Sequence, residues 1–137
     1  MSASPELPPI AYLDSSALVK LVIPEPESGA LRAELRRWPR RASSSLVRAE
    51  LVRACRRVDE PAAARAREVL DGLSLVSVSD ELLDDASRVE PSTLRTLDAI
   101  HMATARRLSG ALGIVVTYDD RLADAASRAG LPVLSPA

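Results

Sequence analysis

The 137-residue chain has one cysteine, one histidine, one lysine, no phenylalanine, and neither asparagine nor glutamine. Each shortage removes a class of explanation. A lone thiol, Cys55, cannot close an internal disulfide, which suits a reducing compartment and a core position. One histidine, His101, beside one cysteine leaves no ligand cluster for zinc. The five glycines are scattered singly, so there is no Gly-rich phosphate loop and no glycine-flanked elbow for a nucleophilic serine. No apolar run approaches the ~20 residues of a membrane span. The first residues lack the charged and apolar regions of a signal peptide, so the expected location is cytoplasmic.

Aromatic residues make up 2% of a chain that is 47% hydrophobic, so the core must be built from Leu, Val, Ile and Ala. That composition suits helices packed on a sheet. The length fits one domain that buries roughly two thirds of its unfolded surface. A Pro-rich leader is expected over residues 1–9, with a single domain over residues 10–137. A net charge of −1 advertises no overall attraction for nucleic acid, yet 17 of the 18 cations are arginine. Arginine forks match phosphate geometry. A compositionally biased genome would produce the same excess, and the sequence leaves both explanations open.

The most informative stretch is Pro9-Ile10-Ala11-Tyr12-Leu13-Asp14-Ser15-Ser16, an apolar run that stops at an acid and two hydroxyls. Unbroken apolar runs mark strands covered on both faces, and open α/β sheets bind ligands beyond the carboxyl ends of such strands. Asp14 is therefore either a helix cap or a functional acid. A second buried strand, 113–117, also ends in acid, at Asp119 and Asp120. Between them the pattern predicts helices at about 16–22, 26–37, 46–57, 60–70, 80–89 and 93–109, a very short strand at 42–44 and a half-buried strand at 74–78. A helix at about 120–129 and an edge strand at 131–134, marked by Pro132, complete the chain. Val47, Leu51, Ala54, Cys55 and Val58 share a helical face with Glu50 at its rim. Leu94, Leu97, His101, Ala105 and Leu108 form another stripe, opposite Ala103 and Arg106, with Asp98 inside it.

Strands alternating with helices imply right-handed crossovers and a mostly parallel sheet of four to five strands with helices on both sides, a three-layer α/β/α architecture. Asp14 and Asp119 then lie at one sheet edge, and helices entered there carry Glu50 and Asp98 in their first turns. Carboxylates about 4 Å apart repel by about 4 kcal/mol per pair at an effective dielectric near 20. A cation must join them. With oxygen ligands alone, a hard ion such as Mg²⁺ or Mn²⁺ is expected, and its natural chemistry is phosphodiester hydrolysis. Arg36, Arg37, Arg40 and Arg41 flank Trp38, and these arginines with Lys20 are candidates for contacting a phosphate backbone.

Four phrases carry a resemblance: Tyr12-Leu13-Asp14-Ser15-Ser16-Ala17-Leu18-Val19-Lys20, Ser45-Leu46-Val47-Arg48-Ala49-Glu50-Leu51, Leu97-Asp98-Ala99-Ile100-His101-Met102-Ala103-Thr104-Ala105, and Val116-Thr117-Tyr118-Asp119-Asp120-Arg121-Leu122. In this order and spacing, across residues 10–134, the chain resembles PIN-domain proteins of the VapC toxin type. The resemblance implies a Mg²⁺-dependent endoribonuclease, a homodimer, partnered by a small VapB-type antitoxin. It matches Asp14, Glu50, Asp98 and Asp119 to the family's acidic quartet, with Asp14, Asp98 and Asp119 on the metal. Ser16 and Thr117 match its supporting hydroxyls, and Asp120 either shares the duty of Asp119 or caps the next helix. Two alternatives have their own signatures. A receiver-like phospho-acceptor domain needs a lysine at the end of a late strand, and Lys20 is the only lysine. A catalytically silent PIN-like module would bind RNA or antitoxin without turnover.

Overall fold

The computed structural model describes residues 6–137. Five of the nine leader residues lie outside that range, and residues 6–9 run as exposed chain without regular structure. The order of elements is β1 (Ile10–Leu13), α1 (Ser15–Val22), α2 (Ser28–Leu35), β2 (Arg40–Ser44), α3 (Val47–Arg56), α4 (Glu60–Asp71), β3 (Ser74–Val76), α5 (Asp80–Ser87), α6 (Thr96–Arg107), β4 (Leu112–Val116), α7 (Asp120–Arg128) and β5 (Val133–Leu134). The strands form one sheet in the order β3-β2-β1-β4-β5, and every pairing is parallel. This is the three-layer α/β/α arrangement, with five strands.

β1 is central, and all four of its residues are buried. Alternation along the strand assigns its faces. Ala11 and Leu13 pack with Leu18, Leu31, Leu35, Val47 and Leu51 in the layer formed by α1 to α4, whereas Tyr12 and Val115 turn toward Ala105 of α6. Small residues let helices approach closely: Ala62, Ala63 and Ala66 of α4 are fully buried. Its start follows from Asp59, which accepts a 2.7 Å hydrogen bond from the Ala62 amide, with Pro61 in the first turn.

Several expectations are corrected. β2 begins at Arg40 rather than residue 42, since Arg40 and Arg41 pair in register with Ile10 and Ala11. β3 is an edge strand that ends at Val76. α6 starts at Thr96, because the Leu94 amide closes a turn on the Pro91 carbonyl and Arg95 is extended. The simple stripe on α6 also fails: Leu97 is 48% exposed while Ala103 is buried. All eight residues from Asp98 to Ala105 are buried, since the sheet, α5 and α7 enclose the middle of this helix. Val58 is exposed because α3 has already ended at Arg56. Trp38 is no stacking plate; its indole N–H donates to Glu34 (3.0 Å) and its ring lies against Gly113.

Candidate active site

Asp14 directly follows β1 and is 3% exposed. Of the two roles its sequence context allowed, the cap is seen directly. Its Oδ1 caps α1 by accepting from the Ala17 amide (3.1 Å) and also accepts from the Ser16 hydroxyl (2.7 Å). Its Oδ2 accepts from Thr117 Oγ1 at 2.6 Å, across the sheet edge. Ser16 in turn accepts from the Tyr118 amide (2.9 Å), and Thr117 Oγ1 from the Asp119 amide (3.1 Å), which ties the end of β1 to the loop after β4. Burial nevertheless raises the pKa of Asp14 above the ordinary carboxylate value, with Ser16 and Thr117 only partly opposing it. An anion in this position gains from a neighbouring cation.

Asp119 splits its two oxygens between tasks. Oδ1 caps α7, accepting from the Arg121 and Leu122 amides at 2.9 and 3.2 Å. Oδ2 accepts from Arg95 Nη2 at 2.7 Å, and Arg95 Nε donates to Asp98 Oδ2 at 3.1 Å. Asp98 is 6% exposed in the first turn of α6, so the guanidinium brings a buried acid and a half-buried one to a single positive charge. Asp120 sits in the first turn of α7 and is exposed.

Glu50, in the first turn of α3, is held from a different side. His101 Nε2 lies 2.8 Å from Glu50 Oε1, and His101 Nδ1 lies 2.7 Å from the Tyr12 hydroxyl. Burial raises the Tyr12 phenol far above its ordinary pKa, so it remains a donor. The Glu50 carboxylate only accepts, so Nε2 presents its proton to it, and in that tautomer Nδ1 accepts from the phenol. Glu50 is thereby the half-buried end of a string that begins at the buried Tyr12.

The basic candidates do not gather here. Lys20 is buried and donates to both Glu25 and Glu27 at 3.0 Å, with its ammonium 4.7 Å from the centre of the Tyr118 ring. Arg40 and Arg41 open β2, at the sheet edge opposite the acids, where they donate to the carbonyls of Pro8, Trp38 and Leu35. Arg36 and Arg37 lie just before that strand, in the turn after α2. The cation at the acids is Arg95, which composition and motif did not single out. Its i, i+3 spacing from Asp98 was legible; its bond to Asp119, 24 residues away, was not.

Among the described residues, no three His, Cys, Asp or Glu side chains stand together as a ready metal cage. The donor chemistry nevertheless fits a hard divalent ion. Asp98 and Asp119 each direct one oxygen at a shared positive charge, and the Thr117 hydroxyl ties the buried Asp14 carboxylate to the backbone amide of Asp119.

Comparison with known proteins accords with this geometry. The family model of the PIN domain matches residues 11–128. The chain is 51% identical over 125 residues to Ribonuclease VapC46 of Mycobacterium tuberculosis (strain ATCC 25618 / H37Rv), covering 91% of this chain and 96% of that relative. It is 40% identical over 130 residues to Ribonuclease VapC47 of M. tuberculosis (strain CDC 1551 / Oshkosh), with the same coverage. Among solved structures, the fold is similar to M. tuberculosis VapC20, a Sarcin-Ricin loop cleaving toxin (TM-score 0.73, 20% identity, 92% of this chain and 99% of that one). It is also similar to a chain of a toxin-antitoxin complex from Klebsiella pneumoniae (TM-score 0.70, 22% identity, 93% and 98%).

Proposed function

Because the chain belongs to the PIN-domain family, and within it to the VapC ribonucleases, we propose that it is a Mg²⁺-dependent endoribonuclease and the toxin of a toxin-antitoxin pair. The observation that carries this proposal is the meeting of Asp98 and Asp119 on one positive charge beside the buried Asp14. Asp14, Asp98 and Asp119 would hold the ion, with Mn²⁺ able to replace Mg²⁺. When bound, that ion would neutralise charge on the scissile phosphate and favour ionisation of water.

The remaining work falls to the chain's own side chains. Glu50 orients the attacking water and accepts its proton, and the His101 N–H holds the carboxylate in place from behind. The water oxygen forms a bond to phosphorus as the ribose oxygen leaves, so no side chain becomes covalently attached. Ser16 and Thr117 fix Asp14 and the loop bearing Asp119 in one geometry. The proposed partners are an RNA substrate, a VapB-type antitoxin and a second copy of the chain. A complex of a toxin with its antitoxin among the structural neighbours supports the second of these. The receiver-like alternative is set aside, since Lys20 is held by Glu25 and Glu27 beside α1 and the matching family is the PIN domain.

Sequencing cellular RNA ends after brief expression tests the proposal. The wild-type chain is expected to create a defined set of new ends that Asp98→Asn does not. Identical profiles for the two would remove the nuclease and favour a silent binding module.

A further inference from the structure

We infer that Arg95 is a resident counter-ion which a divalent cation must displace, so that this arginine sets how much metal the site needs. The inference rests on the metal-holding role proposed above for Asp98 and Asp119. Arg95 occupies the N-cap position of α6, where the helix dipole disfavours a cation, and its side chain makes no capping bond there. What holds it is the pair of acids. The two oxygens it contacts, Asp98 Oδ2 and Asp119 Oδ2, have no other hydrogen-bond donor among the described residues. Asp119 Oδ2 is the one oxygen of that acid not engaged in capping α7, and Asp98 Oδ2 is the oxygen that the buried acid turns toward the same guanidinium. Arg95 and a divalent ion therefore compete for the same atoms, and the planar fork serves both carboxylates at once as an ion would.

Release is easy. The Arg95 side chain is 62% exposed, so it swings into solvent without uncovering apolar core.

The test is Mn²⁺ binding to the full metal-free chain, followed by titration calorimetry and by the electron paramagnetic signal of free Mn²⁺. Arg95→Ala is expected to tighten Mn²⁺ binding roughly 5- to 20-fold, the worth of two partly exposed ion pairs that no longer need breaking. Arg95→Lys keeps the charge but loses the fork, and is expected to tighten binding by a smaller factor in the same direction. In the wild-type chain, Mg²⁺ should move the Arg95 Nε–H resonance to the position of a solvated arginine. Unchanged or weaker Mn²⁺ binding in both variants, or an Nε–H resonance that stays in place while Mg²⁺ binds, overturns the inference and leaves the metal site intact. No Mn²⁺ binding to any of the three proteins overturns the metal site itself, and the inference with it.

Discussion

Asp14 carries a structural role that is seen and a chemical one that is proposed. One of its oxygens caps α1 and the other faces the end of β4 through Thr117, so the carboxylate is fixed before any ligand arrives. That fixation has an energetic cost with a definite sign. Burial raises the pKa of Asp14 in the folded chain. Between the ordinary carboxylate value and the raised one, the folded state keeps a proton that the unfolded state has lost. Stability contributed by this group therefore falls as pH rises through that window. Asp14→Asn is expected to raise the metal-free melting temperature by a few degrees near neutral pH and to leave it unchanged well below the ordinary carboxylate pKa. Thermal unfolding in a chelator across that range checks this, and a uniform loss of stability would contradict it. Asp14 and Asp98 were legible in the sequence because each interrupts an apolar pattern with an acid. Arg95 was legible only as an i, i+3 neighbour of Asp98; its reach to Asp119, 24 residues on, was not. The partner of Glu50 was equally hidden, because its bond to His101 spans 51 residues.

Elements were legible where burial is uniform. β1 and β4 are apolar runs ending in acid and lie side by side at the centre of the sheet. Errors cluster where one helix is covered from several directions. The pattern on α6 predicted one buried stripe, but enclosure by the sheet, α5 and α7 buries eight consecutive residues, among them Asp98 and His101. The same enclosure buries His101 with Tyr12 and leaves Glu50, at the end of their string, partly open to solvent. At the other end of the sheet, β4 passes so close to Trp38 that position 113 has no room for a side chain. A Cβ there would lie 2.8 Å from Pro9 Cβ and 2.9 Å from Trp38 Cη2. Gly113→Ala is expected to cost about 1–3 kcal/mol by overpacking. Urea unfolding reads that loss, and RNA cleavage per folded molecule should persist because the acids sit at the opposite strand ends. Unaltered stability would show that Trp38 yields easily.

At the scale of the whole molecule, topology does the gathering. Parallel strands place the ends of β1 and β4 at one edge, and helices entered from that edge bring Glu50 and Asp98 to it. That the ends of β1 and β4 share one edge was legible because it follows from strand order and handedness. Which cation meets the acids was not, and Arg40 and Arg41 prove to lie at the far edge, where they anchor carbonyls. The charge pattern is thus polar along the strands, with a carboxylate cluster at one edge and arginines at the other. Membership of the VapC ribonucleases gives that cluster its proposed work on RNA. The most direct test is cleavage of RNA by purified chain with Mg²⁺ and with a chelator, for the wild type and Asp14→Asn. The account predicts cutting by the wild type with Mg²⁺ alone, and background levels in the other three reactions. Undiminished Mg²⁺-dependent cleavage by Asp14→Asn would contradict it.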